Sequence, residues 1–465
     1  MATLSIGGRQ VSGAGEFEVL NPATGQAAGS APECSRAQLD EAVDAAARAF
    51  VAWKRDEPAR RAALEQCSDL IKANAETLAR LITLEQGKPL AKATREVMGA
   101  AAWFRYTASL TIPTEVARDD AQMRIEVRRR PIGVVGAITP WNYPVILAAW
   151  KIAPALRAGN TVVLKPSPFT PLATLKLGEI LQSALPAGVL NVVCGGDELG
   201  KAITSHPGIR KISFTGSTCA GKHVAQSAAA DLRRITLELG GNDAAIVLDD
   251  VDPASIAPKI FWAAFDNTGQ ICAAIKRVYA HERVFPDLVG ELARIARSVR
   301  VGDGMFPETE MGPLSNAPQL ERVVELVEDA RRNGGEIVTG GARIESPGYF
   351  FAPTIVTGLG SHVRLVAEEQ FGPALPCMSY SDVDEAIALA NDSPFGLSGS
   401  IWSADTQRAV ELAPQLECGT VWINQHMTIV PDAPISGLKS SGIGVENGPW
   451  GLLAMTEMQT VEIPR

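Results

Sequence analysis

The sequence predicts an α/β protein of two doubly wound units with a small additional β-sheet. Three observations carry that reading. From about residue 131, short apolar runs alternate with helical stretches. A second alternation of the same kind extends from about 241 to 440. Two further pieces, 111–131 and 446–465, hold strand-like alternating runs that fit neither unit. Strands apolar on both faces and separated by helices indicate a parallel sheet covered on two sides. Ligands bind where the strands of such a sheet end.

Taken in order, the first hundred residues read mostly helical. Asn21-Pro-Ala-Thr-Gly25 is turn-rich and ends a hairpin. Ser35 to Gln38 fits a capping box, followed by Leu39, Val43, Ala46, Ala47 and Phe50 at helical spacing. Strand runs then fall at 132–138, 161–164, 189–193, 212–214 and 244–248. Helical stretches lie near 145–157, 172–184, 197–205 and 220–230. The second unit starts with a helix ending near Thr268-Gly269, and helices recur near 284–298, 316–334, 382–391 and 405–415. The runs 123–127 and 458–463 alternate, and would pair with each other or with another subunit as an edge sheet. No fixed-period repeat or low-complexity segment is present.

Bulk properties exclude several function classes. With 465 residues, 46% hydrophobic and 20% charged, the chain has the composition of a soluble globular protein with a large core. A net charge of -9 disfavours nucleic acid as a partner. The run Arg128, Arg129, Arg130 is short and ends at Pro131, which suits a solvated face or an intersubunit contact. Residues 1–8 lack the basic-then-apolar pattern of a secretory signal, and no apolar run spans a membrane. Seven scattered cysteines without a CxxC pair argue for reduced thiols in a cytoplasmic compartment. Five isolated histidines offer no metal-ligand spacing, so no metal is expected.

Five segments carry candidate chemistry. Cys272 lies in Asn267-Thr-Gly-Gln-Ile-Cys-Ala-Ala274, where small neighbours let the backbone approach a ligand. A thiolate is a strong nucleophile towards an aldehyde carbon, although a lone cysteine is more often a small buried hydrophobe. Glu238, in Thr236-Leu-Glu-Leu-Gly-Gly241, is a carboxylate in an apolar strand end. Burial there would raise its pKa towards that of a general base, and the plain alternative is a strand-edge ion pair. Asn142, in Thr139-Pro-Trp-Asn-Tyr-Pro144, follows the first strand and can donate to a developing oxyanion, or simply serve a turn between prolines. Phe214-Thr-Gly-Ser-Thr-Cys-Ala-Gly221 opens a helix with Ser217 and backbone N–H groups, a pyrophosphate site without the GxGxxG fingerprint. Lys165, in Leu-Lys-Pro-Ser-Pro168, ends a strand within reach of a nucleotide ribose, or is a solvated lysine.

Together these segments resemble the aldehyde dehydrogenase superfamily over nearly the whole chain. The motifs stand in family order: Pro-Trp-Asn-Tyr-Pro144, Leu-Lys-Pro-Ser167, Phe-Thr-Gly-Ser217, Leu-Glu-Leu-Gly-Gly241, Gly-Gln-Ile-Cys272, Glu368-Glu-Gln-Phe-Gly-Pro373, Val421-Trp-Ile-Asn424 and Ser436-Gly-Leu-Lys-Ser-Ser-Gly442. The interval 272 − 238 = 34 matches the usual glutamate-to-cysteine spacing.

The resemblance implies that Cys272 attacks the aldehyde, with the Asn142 side chain and the Cys272 N–H holding the oxyanion. Hydride passes to the nicotinamide, and Glu238 activates the water that hydrolyses the thioester. It implies NAD or NADP as cofactor, with a lean to NAD. Lys165 goes to the adenosine ribose, with Ser167 beside it, and Gly216 and Ser217 take the pyrophosphate. Glu369 goes to the nicotinamide ribose, and Phe371 packs beside the nicotinamide. Ile138, Thr139, Pro140 and Trp141 line the cleft with Phe214 and Leu239, and Gly196 and Gly200 line the adenine side. Residues 1–110 and 132–240 become the cofactor-binding domain and 241–440 the catalytic domain. Segments 111–131 and 446–465 become an oligomerisation sheet, implying a homodimer or homotetramer.

Tyr143, Trp150, Phe265, Ile271 and His426 fall at pocket-lining positions of relatives. Trp150 stands where succinate semialdehyde dehydrogenases tend to have an arginine, so a neutral apolar or aromatic aldehyde is expected. Pro168 replaces the ribose-binding glutamate of NAD-preferring members. Gln370, Ile435, Ser436 and Val445 are further departures, expected to reshape the pocket mouth and adjoining loop. Two alternatives remain at this point. A CoA-acylating enzyme is disfavoured by Glu238. A catalytically silent structural relative is disfavoured by the presence of Cys272, Glu238 and Asn142 together.

Overall fold

The computed structural model describes residues 2–465 and contains two large mixed sheets, each flanked by helices. The first has eight strands, and its parallel centre runs Leu190–Val192, Thr161–Lys165, Val134–Ile138, Lys211–Thr215, Arg234–Glu238. Its central strands are buried along their whole length, as two-sided apolar runs require. Chain order reverses at Val134–Ile138, so a topological switch point opens between this strand and Lys211–Thr215. Strands Leu4–Ile6 and Gly442–Ile443 add antiparallel to its two sides.

The second sheet has seven strands, parallel except for Glu336–Thr339 at one edge. One of its inner strands, Asp243–Val247, begins only five residues after Arg234–Glu238 ends. The chain thus passes almost directly from one sheet to the other. The C-terminal strand ends of the first sheet thereby meet loops that precede strands of the second, and the cleft forms at that junction.

The sequence-based elements recur with shifted ends. Ser35 caps helix Arg36–Trp53 through a full capping box, and the Asn21–Gly25 turn joins the hairpin strands Gly15–Leu20 and Ala27–Glu33. Residues 2–33 are strands and turns, not helix, because their short runs pair with the hairpin and the sheet edge. The helix expected to end near Thr268 stops at Phe265, and a tight turn with left-handed Asn267 and Thr268 follows. Met123–Pro131 and Thr456–Pro464 pair antiparallel with each other, with Glu115–Asp119 on the outer edge. Residues 448–453 form a short helix before that strand. Among the described residues, no helix is long and apolar enough to cross a membrane.

Candidate active site

A cavity of about 540 Å³ occupies the junction between the sheets. It gathers Cys272, Glu238 and Asn142 with Pro140, Trp141, Gly216, Ser217, Leu239, Glu369 and Phe371. Four other expected residues, Lys165, Ser167, Gly196 and Gly200, lie beyond its lining. They cluster where Thr161–Lys165 ends and helix Asp197–Ser205 begins. The position where a Gly200 Cβ would stand is 4.0 Å from Lys165 Cε, and nothing lies within 4 Å of that position at Gly196. Lys165 is buried, donates to Pro166 O at 3.2 Å, and has its pKa lowered by desolvation. Ile138 and Phe214 are buried near their strand ends, and the Thr139 N–H ties the two neighbouring loops by donating to Lys165 O.

The nucleophile's loop is held in an unusual shape. Asn267 and Thr268 have φ of 49° and 60°, a region that non-glycine residues avoid. Gly269 follows at φ 72°, and a Cβ there would stand 2.4 Å from Gly372 O. Cys272 is half-buried, and burial pushes its thiol pKa well up. The Glu238 carboxylate raises it further, and the Lys276 ammonium opposes both.

Glu238 ends its strand fully enclosed, and neither carboxyl oxygen has a hydrogen-bond partner. Burial raises its pKa to about 8, with Glu446 adding to the rise and Lys151 opposing it. A buried carboxyl without partners is costly, so it persists where it has a task. Asn142 donates through Nδ2 to Gln270 O at 2.9 Å, which leaves the second amide proton for a ligand. Its own carbonyl accepts from Lys88 Nζ at 2.8 Å and from Asn267 Nδ2 at 3.0 Å.

Three buried lysines behind these side chains, two of them paired with buried carboxylates, went unread in the sequence. Lys88 pairs with Glu96 at 2.6 Å, and Glu96 caps the helix after Asn142 by accepting from Val145 N and Ile146 N. Lys151 pairs with Glu446 at 2.7 Å and donates to Thr215 Oγ1 at 2.7 Å. Lys276 donates to Ile271 O and Cys272 O. A signal existed for Lys151, a cation in the middle of the apolar helix Pro144–Arg157. Lys88 and Lys276 carried no comparable mark.

A second cavity of about 590 Å³ is lined in part by Trp262, Asp266, His426 and Met427. His426 reaches back from it, its Nε2 lying 2.8 Å from Ala273 O, and burial lowers its pKa to about 3. Tyr143 lies under Lys88 Nζ, 3.4 Å from the ring centroid. Trp150 stacks on Trp103 at 5.5 Å, with Leu147 and Ile435 completing an apolar wall. Ile271 is buried with its carbonyl held by Lys276. Of the five expected pocket residues only His426 lines one of the two cavities; Tyr143, Trp150, Ile271 and Phe265 line neither. Phe265 is the most deeply buried of them. It is turned into the core against Phe261 at 4.5 Å, and its neighbour Asp266 faces the second cavity instead. Gln370, expected at the pocket mouth or adjoining loop, is buried and donates through Nε2 to Lys276 O and Ala374 O.

The groove fits a dinucleotide on three counts. Ser217 caps helix Thr218–Ala229, presenting free N–H groups at its start. At Gly216 and Gly240 a Cβ would stand 2.5 Å from the Phe214 ring and 2.3 Å from Glu369 Oε2, so these two side chains lie directly against bare backbone. Glu369 projects into the cavity, its Oε1 accepting from Gly241 N at 3.0 Å.

Comparison with known proteins agrees with this geometry. The model of the aldehyde dehydrogenase family matches residues 10–461. Phenylacetaldehyde dehydrogenase of Pseudomonas fluorescens is 39% identical, covering 95% of this chain and 92% of its own. Retinaldehyde dehydrogenase 3 of Homo sapiens is 38% identical, covering 96% and 90%. The NAD+ complex structure of aldehyde dehydrogenase from Bacillus cereus superposes with a TM-score of 0.98 at 35% identity, covering 100% of this chain and 96% of that one.

Proposed function

The chain belongs to the aldehyde dehydrogenase family, and from that premise we propose that it oxidises a neutral apolar or aromatic aldehyde to the acid through a thioester on Cys272. One observation carries the reading. A buried Glu238 carboxyl with two unpartnered oxygens shares a cavity with a thiol and a spare amide proton.

Each side chain has a physical task. Cys272, as the thiolate, bonds through sulfur to the aldehyde carbon and moves an electron pair onto the carbonyl oxygen. Asn142 Nδ2 and the Cys272 N–H hold that oxyanion, and one such donor is typically worth roughly 3 kcal/mol. When bound, the nicotinamide cofactor supplies the acceptor for the aldehyde hydride. Glu238, as carboxylate, takes a proton from water, whose oxygen attacks the thioester carbon and releases the Cys272 thiolate. That free base is the argument for hydrolysis over transfer to CoA.

Ser217 and the helix it caps would hold the pyrophosphate of NAD(P). Glu369 and Lys165 would serve the riboses, Phe371 the nicotinamide, and Gly196 and Gly200 the adenine end. Pro168 offers no ribose-binding carboxylate, and NAD remains the favoured cofactor. The aldehyde would approach from the second cavity, past Tyr143 and His426, with Trp150 supplying an apolar wall. On this reading, 1–110 with 132–240 is the cofactor domain and 241–440 the catalytic domain. The three-stranded sheet from 115–131 and 456–464 would join subunits of a cytoplasmic homodimer or homotetramer.

The test is reduced-cofactor formation over aliphatic, aromatic and acidic aldehydes, with NAD and NADP in parallel and Cys272→Ala as control. The expected result is turnover of benzaldehyde or hexanal that disappears in the control. A higher kcat/KM for succinate semialdehyde would overturn the substrate class. Turnover surviving in Cys272→Ala would overturn the thioester.

A further inference from the structure

Lys276 is the third buried cation around the site, and its position is unlike the other two. Lys88 and Lys151 each pair with a buried carboxylate at close range. Lys276, with its side chain 2% exposed, instead spends its protons mainly on backbone. Its Nζ donates to Ile271 O at 2.8 Å and to Cys272 O, and lies 3.4 Å from Glu369 Oε1. An ammonium has three protons, and three partners surround it. Its own carbonyl accepts from Gln370 Nε2 at 3.0 Å, so main chain and side chain both bind the segment carrying Glu369 and Phe371.

The chemistry of that contact is directional. Ile271 C=O and Cys272 N–H are two ends of one peptide unit. A cation on the oxygen draws electron density out of the unit and strengthens the N–H as a donor. Bonds to the carbonyls of residues 271 and 272 also fix both peptides flanking the nucleophile. A desolvated ammonium is a poor way to gain stability, because its burial penalty consumes most of what the contacts return.

We propose that Lys276 is a positioning residue for the oxyanion site, orienting and polarising the Ile271–Cys272 peptide and fastening it to Glu369. This rests on the reading above in which the Cys272 N–H receives the oxyanion.

Two reactions of the one thiol separate this role from a structural one. Alkylation of Cys272 by iodoacetamide displaces iodide and develops no oxyanion. Acylation by p-nitrophenyl acetate forms a C–S bond, builds an oxyanion and expels p-nitrophenolate. Both draw on the same thiolate, so their ratio at one pH cancels any change in its population. In Lys276→Met the ratio of acylation to alkylation is expected to fall about tenfold, less than the loss of a whole donor because the N–H remains. Lys276→Gln keeps a neutral donor and is expected to fall between Met and the unchanged protein; it also decides the matter if the Met variant does not fold. An unchanged ratio in the folded variants, with both rates falling together or neither falling, overturns the proposal. Acylation that persists in Cys272→Ala would instead count against the thioester reading, so the two failures are distinguishable.

Discussion

The two ends of the cleft are built differently. At the reacting end, Glu238 has two unpartnered oxygens, Asn142 and Asp243 each leave an Oδ1 without a partner, and Asn267, Thr268 and Phe371 carry positive φ. At the outer end, Ser217 makes an ordinary cap, accepting from Ala220 N at 3.2 Å, and Gly216 leaves bare backbone against the Phe214 ring. The outer end is assembled from turns that many α/β sheets use. The reacting end keeps costly, unsatisfied groups in place by packing two sheets around them. Changes at the first should therefore cost affinity or stability, and changes at the second should cost rate.

The largest effect expected on this contrast is at Glu238. Glu238→Gln should lower kcat by about a hundredfold to ten-thousandfold, the range of a lost general base. Its first turnover in a rapid-mixing experiment should survive, because only thioester hydrolysis needs the base. Asn142→Ala should lower kcat by about a hundredfold or more through loss of one oxyanion donor. Its cofactor affinity, read by fluorescence titration, should stay unchanged. A weaker cofactor complex in this variant would blur the contrast between the ends.

The pH profile sharpens it further. Glu238 acts as a base only when ionised, and burial holds its pKa at about 8. Steady-state kcat limited by hydrolysis should therefore rise with pH through about 8. Glu446 raises that pKa and Lys151 lowers it. Glu446→Gln removes the raising charge, so the rise in kcat should move to lower pH. A rise that stays in place would detach the Lys151–Glu446 pair from the base. The smallest effect belongs to the outer end. Ser217→Ala should cost about 1 kcal/mol of stability by loss of the cap, read by thermal unfolding, and a few-fold in cofactor KM by about the same measure. A loss of kcat comparable to that of Asn142→Ala would break the comparison.

Legibility followed the same division. Strands 134–138 and 161–165 were readable because a parallel strand buried on both faces is apolar throughout. The Ser35 cap was readable because its partner Gln38 lies three residues away. Phe265 stands outside both cavities because helix phase at the end of Pro253–Phe265 decides which of two adjacent residues faces a cavity. That phase is set by packing on Phe261. Lys88 meets Asn142 across 54 residues and Lys151 meets Glu446 across 295, separations that leave no local pattern.

By itself the sequence determined the alternation of strands and helices, the segments that bear Cys272, Glu238 and Asn142, and the family they compose. Those properties depend on periodicity and short motifs, which are local. Only the tertiary structure decided which charges stand behind the reacting groups, how far burial shifts the Glu238 carboxyl, and which peptide Lys276 grips. Each depends on the field and desolvation at one point, set by side chains that only the packing of one sheet against the other brings together.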